Sequence, residues 1–517
     1  MCFGYSLDDL FKKEIKIIMI KIFVGIVMIA LLTGQSYAGD DLKIAIPVDK
    51  IQLDPQKIED QYSTTIVNQI YSRLFRYTPS GQIRPDLVET WKTSKDNTEY
   101  IFKLKDSKFS DGTPITADHV VNSLKRIFVV EAALASDLGV IKGVVKFTHS
   151  KNTGDLSIFS DDQQTVRIVT EKPTSLLIHL LAVPDVGILK LNSPHAVLKF
   201  DPTLPYSGPY KVKFMEGEKI VIEKWRSSDL DSQNPPSSIV FNLFNNIDAK
   251  AALSKSATDT SSFLSYEGDK SPFDTLEGWQ AVPSEASNER FIVMNPGLIQ
   301  KSVRKWLLSK INTEEFTNYI GDKSVIPAFG FIPNCLPGHL KSRIKHEDIN
   351  LRLSNTITLK INFGANLPYQ SKIKSYLSRA WNHPNIKLEF ESLPVATYLE
   401  KLFNGKGEIL IGARGLEYPE GFSIITYFKS NLPSNYFFVN NKKIDSLIEQ
   451  ASHELDDNIR HKIYEKIQTL VFDEATVIPL AFGSWKKYFW SHKIRHVPPH
   501  PIGLYFMPME MITMAEK

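Results

Sequence analysis

Apolar and polar residues alternate in short blocks along this chain, and the period switches from two to about 3.6 and back again. Residues 42–48, Leu-Lys-Ile-Ala-Ile-Pro-Val, read as an opening strand. Tyr100, Phe102 and Leu104 alternate with Ile101, Lys103 and Lys105 as a half-buried strand does. Further strands are expected at 165–170, 219–225, 357–363 and 386–390. Helical spacing marks 62–76 through Ile66, Ile70, Leu74 and Phe75, then Val120, Val121, Leu124 and Ile127. It returns from Val303 to Ile311 and from Ile373 to Trp381. Residues 444–472 form a helical pair, with Ile444, Leu447, Ile448, Ala451 and Leu455, then Ile459, Ile463, Ile467 and Leu470. Thr116 is a natural N-cap, with Asp118 adding negative charge to the first turn. Pro79, Gly81, Pro85, Ser110–Pro114 and Ser207–Tyr210 mark turns. Residues 254–274, rich in Ser, Thr, Asp and Gly, suggest a lobe boundary. Interleaved strands and helices make the fold class α/β, in the sense of mixed α+β.

At 517 residues the chain is too long for one core, so at least two domains are expected. A net charge of +3 argues against a broad basic face for nucleic acid. Short basic clusters such as Lys12-Lys13 and Lys442-Lys443 read as solvated surface; the second follows Asn440-Asn441, a turn into a helix.

Residues 19–38 change the picture. Lys21 precedes an apolar run from Ile22 to Leu32, and Ser36-Tyr37-Ala38 supplies small residues for cleavage. The run is shorter than the ~20 residues of a membrane span, so it reads as a removed secretory signal. Met19 is the better initiator, because Met1 to Glu14 is polar. No cysteine follows the apolar run to accept lipid, which fits a periplasmic, diffusible chain. Cleavage leaves Cys335 alone, expected as a buried structural thiol.

Enzymatic chemistry finds little support. There is no HExxH, no paired CxxC and no Walker loop. His492, His496 and His500 recur every fourth residue, but Pro498 and Pro499 interrupt any helix that would align them. Ser-x-x-Lys, the pairing of a periplasmic serine acyl-transferase, occurs at Ser302, Ser342, Ser371 and Ser484. The one Lys-Thr-Ser, at Lys92, precedes all four, which is the wrong order for that enzyme. No cofactor is expected.

An ordered series of segments carries a resemblance. It opens at Leu53-Asp54-Pro55-Gln56-Lys57-Ile58-Glu59 and continues through Pro85-Asp86-Leu87, Trp91 and Tyr100 to Lys105. It then takes in Phe109-Ser-Asp-Gly-Thr-Pro-Ile-Thr-Ala-Asp118, Val120, Ser207-Gly-Pro-Tyr210, Val303-Arg304 and Val477-Ile-Pro-Leu480. The series resembles the family 5 extracellular solute-binding proteins, which serve ABC importers of oligopeptides, dipeptides and sometimes nickel or haem. The resemblance implies a periplasmic binding protein-like fold of two hinged lobes with an extra N-terminal subdomain. The signal would occupy 1–38, lobe I 39–74 plus 188–275 plus 477–517, the extra subdomain 75–187, and lobe II 276–476.

The same resemblance implies capture of a peptide between the lobes and delivery to ABC importer permease subunits by a monomer. Membrane contact would come only through the permease. Glu417, in Glu417-Tyr418-Pro419-Glu420-Gly421-Phe422, stands where the family's Asp takes the peptide ammonium, and Gly421 replaces the family's Pro. Glu59 matches a cleft glutamate, Arg414 is placed to receive a peptide carboxylate, and Tyr418 to pack beside the ammonium. A nickel chelate or haem as cargo, or a sensor or chaperone detached from transport, remain alternatives on the same fold.

Overall fold

The apolar alternation of Leu42–Ile46 seeds a sheet because each face needs cover and each edge a partner. The computed structural model describes residues 41–516 apart from 47, 49, 59, 79–80, 197–203, 244–262, 268–277, 283–287, 345–348, 366, 417, 433–434, 484–485 and 499–502. Among the described residues, Leu42–Ile46 lies parallel to both Ser238–Leu243 and Phe263–Glu267. Lys219–Lys224 and Tyr210–Glu216 extend the sheet on one side, and Lys486–Ser491 and Trp279–Val282 on the other. This is the first lobe.

The second lobe is built on the strand order Val325–Pro327, Val477–Gly483, Glu289–Met294, Ile409–Arg414, Ile357–Gly364 and Ile386–Leu393. Val477–Gly483 is buried throughout, as an apolar Val-Ile-Pro-Leu run in a sheet interior should be. The chain passes from the first sheet to the second between Val282 and Glu289, and returns between Gly483 and Lys486. Both passages fall a few residues beyond the boundaries expected at 275/276 and 476/477, because Trp279–Val282 pairs in the first sheet and Val477–Gly483 in the second. Phe263–Glu267, inside the Ser- and Gly-rich stretch expected to be a boundary, is a strand of the first sheet; the rest of 254–274 lies outside the described residues.

The subdomain carries an antiparallel sheet in the order Val88–Thr93, Glu99–Leu104, Thr165–Val169 and Ile158–Asp162. One apolar core fills the first lobe, and another runs continuously through the subdomain and the second lobe.

Three sequence landmarks turn out to be joints. Asp54 and Gln56 clamp Arg126 on the helix Ala117–Val129: Arg126 Nη2 donates to Asp54 Oδ2 at 2.7 Å and Nη1 to Gln56 Oε1 at 2.6 Å. Gly208 lies so close to the end of the helix Gln61–Ile70 that a Cβ would stand 2.5 Å from Gln69 O. Arg304 Nε and Nη2 donate to Ala475 O and Glu474 O, closing the C-terminus of the helix Asp457–Glu474.

Three expectations are corrected. The helix expected over 62–76 stops at Ile70; Tyr71 is extended, and Phe75–Tyr77 becomes a strand paired with Ile83–Pro85. Leu455 and Ile459 are exposed, because Asp456 caps a new helix there and Arg460 takes the buried position. Cys335 is exposed, since Leu336 beside it takes the core position.

Candidate functional site

Gly412, the fourth residue of the strand Ile409–Arg414, marks where the second sheet opens. On one side this strand pairs with Glu289–Met294 along its whole length. On the other, Ile357–Gly364 pairs only with Ile409, Leu410 and Ile411. Among the described residues, 412–416 therefore run on without a neighbouring strand on that side, and they line a cavity of about 1350 Å³. Small residues suit this edge. A Cβ at Gly412 would collide with the Tyr398 hydroxyl, and one at Gly415 would come within 3.3 Å of the Tyr505 hydroxyl.

The cavity lies between the lobes. The first lobe and the subdomain supply Asp60, Asp137, Glu171, Asp185 and Lys172, and the second lobe supplies Arg290, Arg414, Lys429, Glu449 and His453. Acidic groups thus prevail on one wall and basic groups on the other. Asp60 is tied down as the N-cap of the helix Gln61–Ile70, accepting from Tyr62 N and Ser63 N, each at 2.8 Å. Tyr505, from the C-terminal segment of the first lobe, reaches across and donates its hydroxyl to Leu416 O at 3.0 Å.

The rim is pinned where the subdomain meets the helix Lys442–His453. Lys172 Nζ donates to Glu449 Oε1 at 3.0 Å, and Thr174 Oγ1 to Ser452 O at 2.8 Å. Ser175 Oγ donates to Glu454 O at 3.2 Å and receives Arg460 Nη1 at 2.8 Å. Hydrogen bonds from Lys172 and His453, with the nearby Lys429 charge, hold the Glu449 carboxylate down at about 2.

Of the four residues expected at the site, Glu59 and Glu417 lie outside the described residues. Arg414 lines the cavity, but its Nε and Nη2 stand 2.8 and 2.7 Å from Glu289 Oε2. Its guanidinium also stacks over Tyr427 and Phe437, at 4.6 and 4.8 Å. Glu289 thus engages one side of the guanidinium expected to receive a peptide carboxylate, while Nη1 keeps no hydrogen-bond partner among the described residues. Glu289 faces it in register from the adjacent strand, and a buried carboxylate demands a cation. Burial pushes Glu289 up to about 7 while Arg414 pulls the other way. Tyr418 lines the cavity and is also packed into the core. Glu420, the second acid of that segment, is structural: Tyr464 donates to its Oε1 at 2.8 Å, Phe422 N to its Oε2, and Arg460 lies 3.5 Å away.

Sequence reasoning missed Arg290, Asp60 and Lys429. The signal for Arg290 was available, since Glu289-Arg290 opens a strand that is otherwise wholly apolar. Among the described residues no group of three His, Cys, Asp or Glu side chains could hold a metal ion.

A two-lobed α/β shell around an interlobe cavity is the architecture of a solute receptor, and the sequence agrees. The profile of the bacterial extracellular solute-binding proteins, family 5 (middle region), matches residues 82–436, and the chain belongs to this family. Among curated relatives, the probable D,D-dipeptide-binding periplasmic protein DdpA of Escherichia coli (strain K12) is 23% identical over 475 residues, covering 85% of this chain and 88% of its own. The glutathione-binding protein GsiB of the same strain is 22% identical over 488 residues, covering 87% and 90%. Among solved structures, the Escherichia coli murein tripeptide binding protein MppA superimposes with a TM-score of 0.74 at 18% identity, over 93% of this chain and 99% of its own. DppA from Helicobacter pylori, in complex with the peptide STSA, gives 0.73 at 16% identity, over 92% and 98%.

Proposed function

We propose that this solute-binding protein is exported to the periplasm with loss of residues 1–38, encloses a short extended peptide between its lobes, and hands it to the permease of an ABC importer. The observation that carries the reading is the strand edge Gly412–Arg414 on the cavity wall, which among the described residues has no neighbouring strand on that side. An extended peptide added to such an edge gains main-chain hydrogen bonds whatever its sequence. The opposed charge of the two walls favours a zwitterion that spans them, ammonium toward one lobe and carboxylate toward the other. At about 1350 Å³ the cavity exceeds the ~300–1000 Å³ of an ordinary small-molecule pocket. Relatives named for a D,D-dipeptide, for glutathione and for a murein tripeptide agree in cargo class.

Native mass spectrometry of protein purified gently from its periplasm tests this. Bound species should be heterogeneous and should fragment as short peptides. A single bound mass corresponding to haem or to a nickel chelate would overturn the peptide reading.

A further inference from the structure

The helix Val395–Phe403 carries two apolar ladders. Tyr398 and Leu402 enter the core, as one face of a surface helix should. Val395, Leu399 and Phe403, each four residues apart, remain 50%, 39% and 57% exposed. Phe403 has company outside the cavity, its ring lying edge-on to Tyr436 at 5.7 Å. Val395 and Leu399 instead line the interlobe cavity beside Leu367 and Pro368. The four form an apolar shelf on the second-lobe wall of the cavity, and of them Val395 and Leu399 are apolar side chains of one helix left exposed to it.

Its position follows from the sheet. Gly364, the last residue of Ile357–Gly364, pairs with Leu393, and the helix Val395–Phe403 begins two residues later and packs on the same strand. Tyr398 lies against both Gly364 and Gly412. The shelf therefore stands where Ile357–Gly364 stops and the open edge begins. A guest strand laid on that edge would continue the line of Ile357–Gly364, and alternate side chains would point to the face that the helix covers.

We propose that the shelf is a side-chain subsite for a bulky aliphatic or aromatic residue of the cargo, which makes short apolar peptides the favoured class. This rests on the peptide reading above. A polar guest side chain would leave Val395 and Leu399 facing water, whereas an apolar one removes both surfaces from it. Differences of a few methylenes in such a pocket discriminate by about tenfold to a few hundredfold.

The test is calorimetry with trialanine and with the three tripeptides that carry leucine at one position and alanine elsewhere. One leucine position should raise affinity about tenfold or more over trialanine. In Val395→Ser/Leu399→Ser that ratio should fall to about twofold or less. Phe403→Ser, on the same ladder but outside the cavity, should keep the ratio and so controls for damage to the helix. Equal affinities for all four peptides, or a leucine preference that survives the double substitution, overturn the shelf while leaving peptide binding intact. Failure of every peptide to bind removes the peptide reading, and the shelf with it.

Discussion

Thr174 offers a way to weigh closure of the cleft by removing one oxygen atom. The helix Lys442–His453 ends in carbonyls that lack intrahelical partners. The subdomain supplies them: the Thr174 hydroxyl donates to Ser452 O at 2.8 Å, with Thr174 only 1% exposed. The bond joins the subdomain to the second lobe across the rim of the cavity, so it is lost if opening of the cleft parts the two there. Thr174→Val keeps the shape and removes the donor. In the open state water solvates Ser452 O, and in the closed state that carbonyl stays buried and unsatisfied, at a cost of about 1–3 kcal/mol. The whole cost falls on the closed state, so closure should become about 5- to 150-fold less favourable. Where the open state dominates without ligand, apparent peptide affinity should drop by the same factor. Calorimetry measures the affinity, small-angle scattering the fraction closed, and Thr174→Ser should restore both. Affinity within twofold of the parent, with unchanged scattering, would refute the idea that this contact reports closure.

Three further outcomes are expected. Asp54→Asn breaks the buried clamp on Arg126, leaving a desolvated guanidinium, and should cost about 3–5 kcal/mol in denaturant titration. His179 is held by burial, and secondarily by Arg460, down at about 4 from an ordinary 6.5. Its folded value is depressed, so its contribution is complete above pH 6.5 and is lost as pH falls through 4. Stability should decline across that window by a few kcal/mol at about 1.4 kcal/mol per pH unit, and His179→Asn should flatten the decline. Tyr505→Phe removes the hydroxyl that bonds Leu416 O across the cleft and should weaken peptide binding by about three- to tenfold with little change in stability.

The shell of this protein is legible in its sequence because its landmarks encode local necessity. Gly208 must be glycine where the backbone of Gln69 passes, and Asn441 announces the helix Lys442–His453 by capping Lys443 and Ile444. Thr116 likewise begins the helix Ala117–Val129, its N–H donating to His119 Nδ1 at 3.0 Å. The site is less legible because it depends on pairs far apart in the chain. Arg414 looks like a free cation in sequence, and only the fold shows Glu289, 125 residues earlier, engaging it. The end of the helix at Ile70 is also non-local, since Phe75–Tyr77 has a strand to join. The second apolar ladder of Val395–Phe403 is visible in sequence, but only the cavity distinguishes it from core.

The account stands on a guest held by its main chain along the open edge at Gly412–Arg414. Calorimetry of one bound peptide against analogues with single backbone N-methyl groups tests this most directly, since side chains and termini are kept while one donor is removed and the edge is crowded. Methylation at one or more internal positions should cost tenfold or more in affinity. Equal affinity for every methylated analogue would mean that the open edge holds nothing.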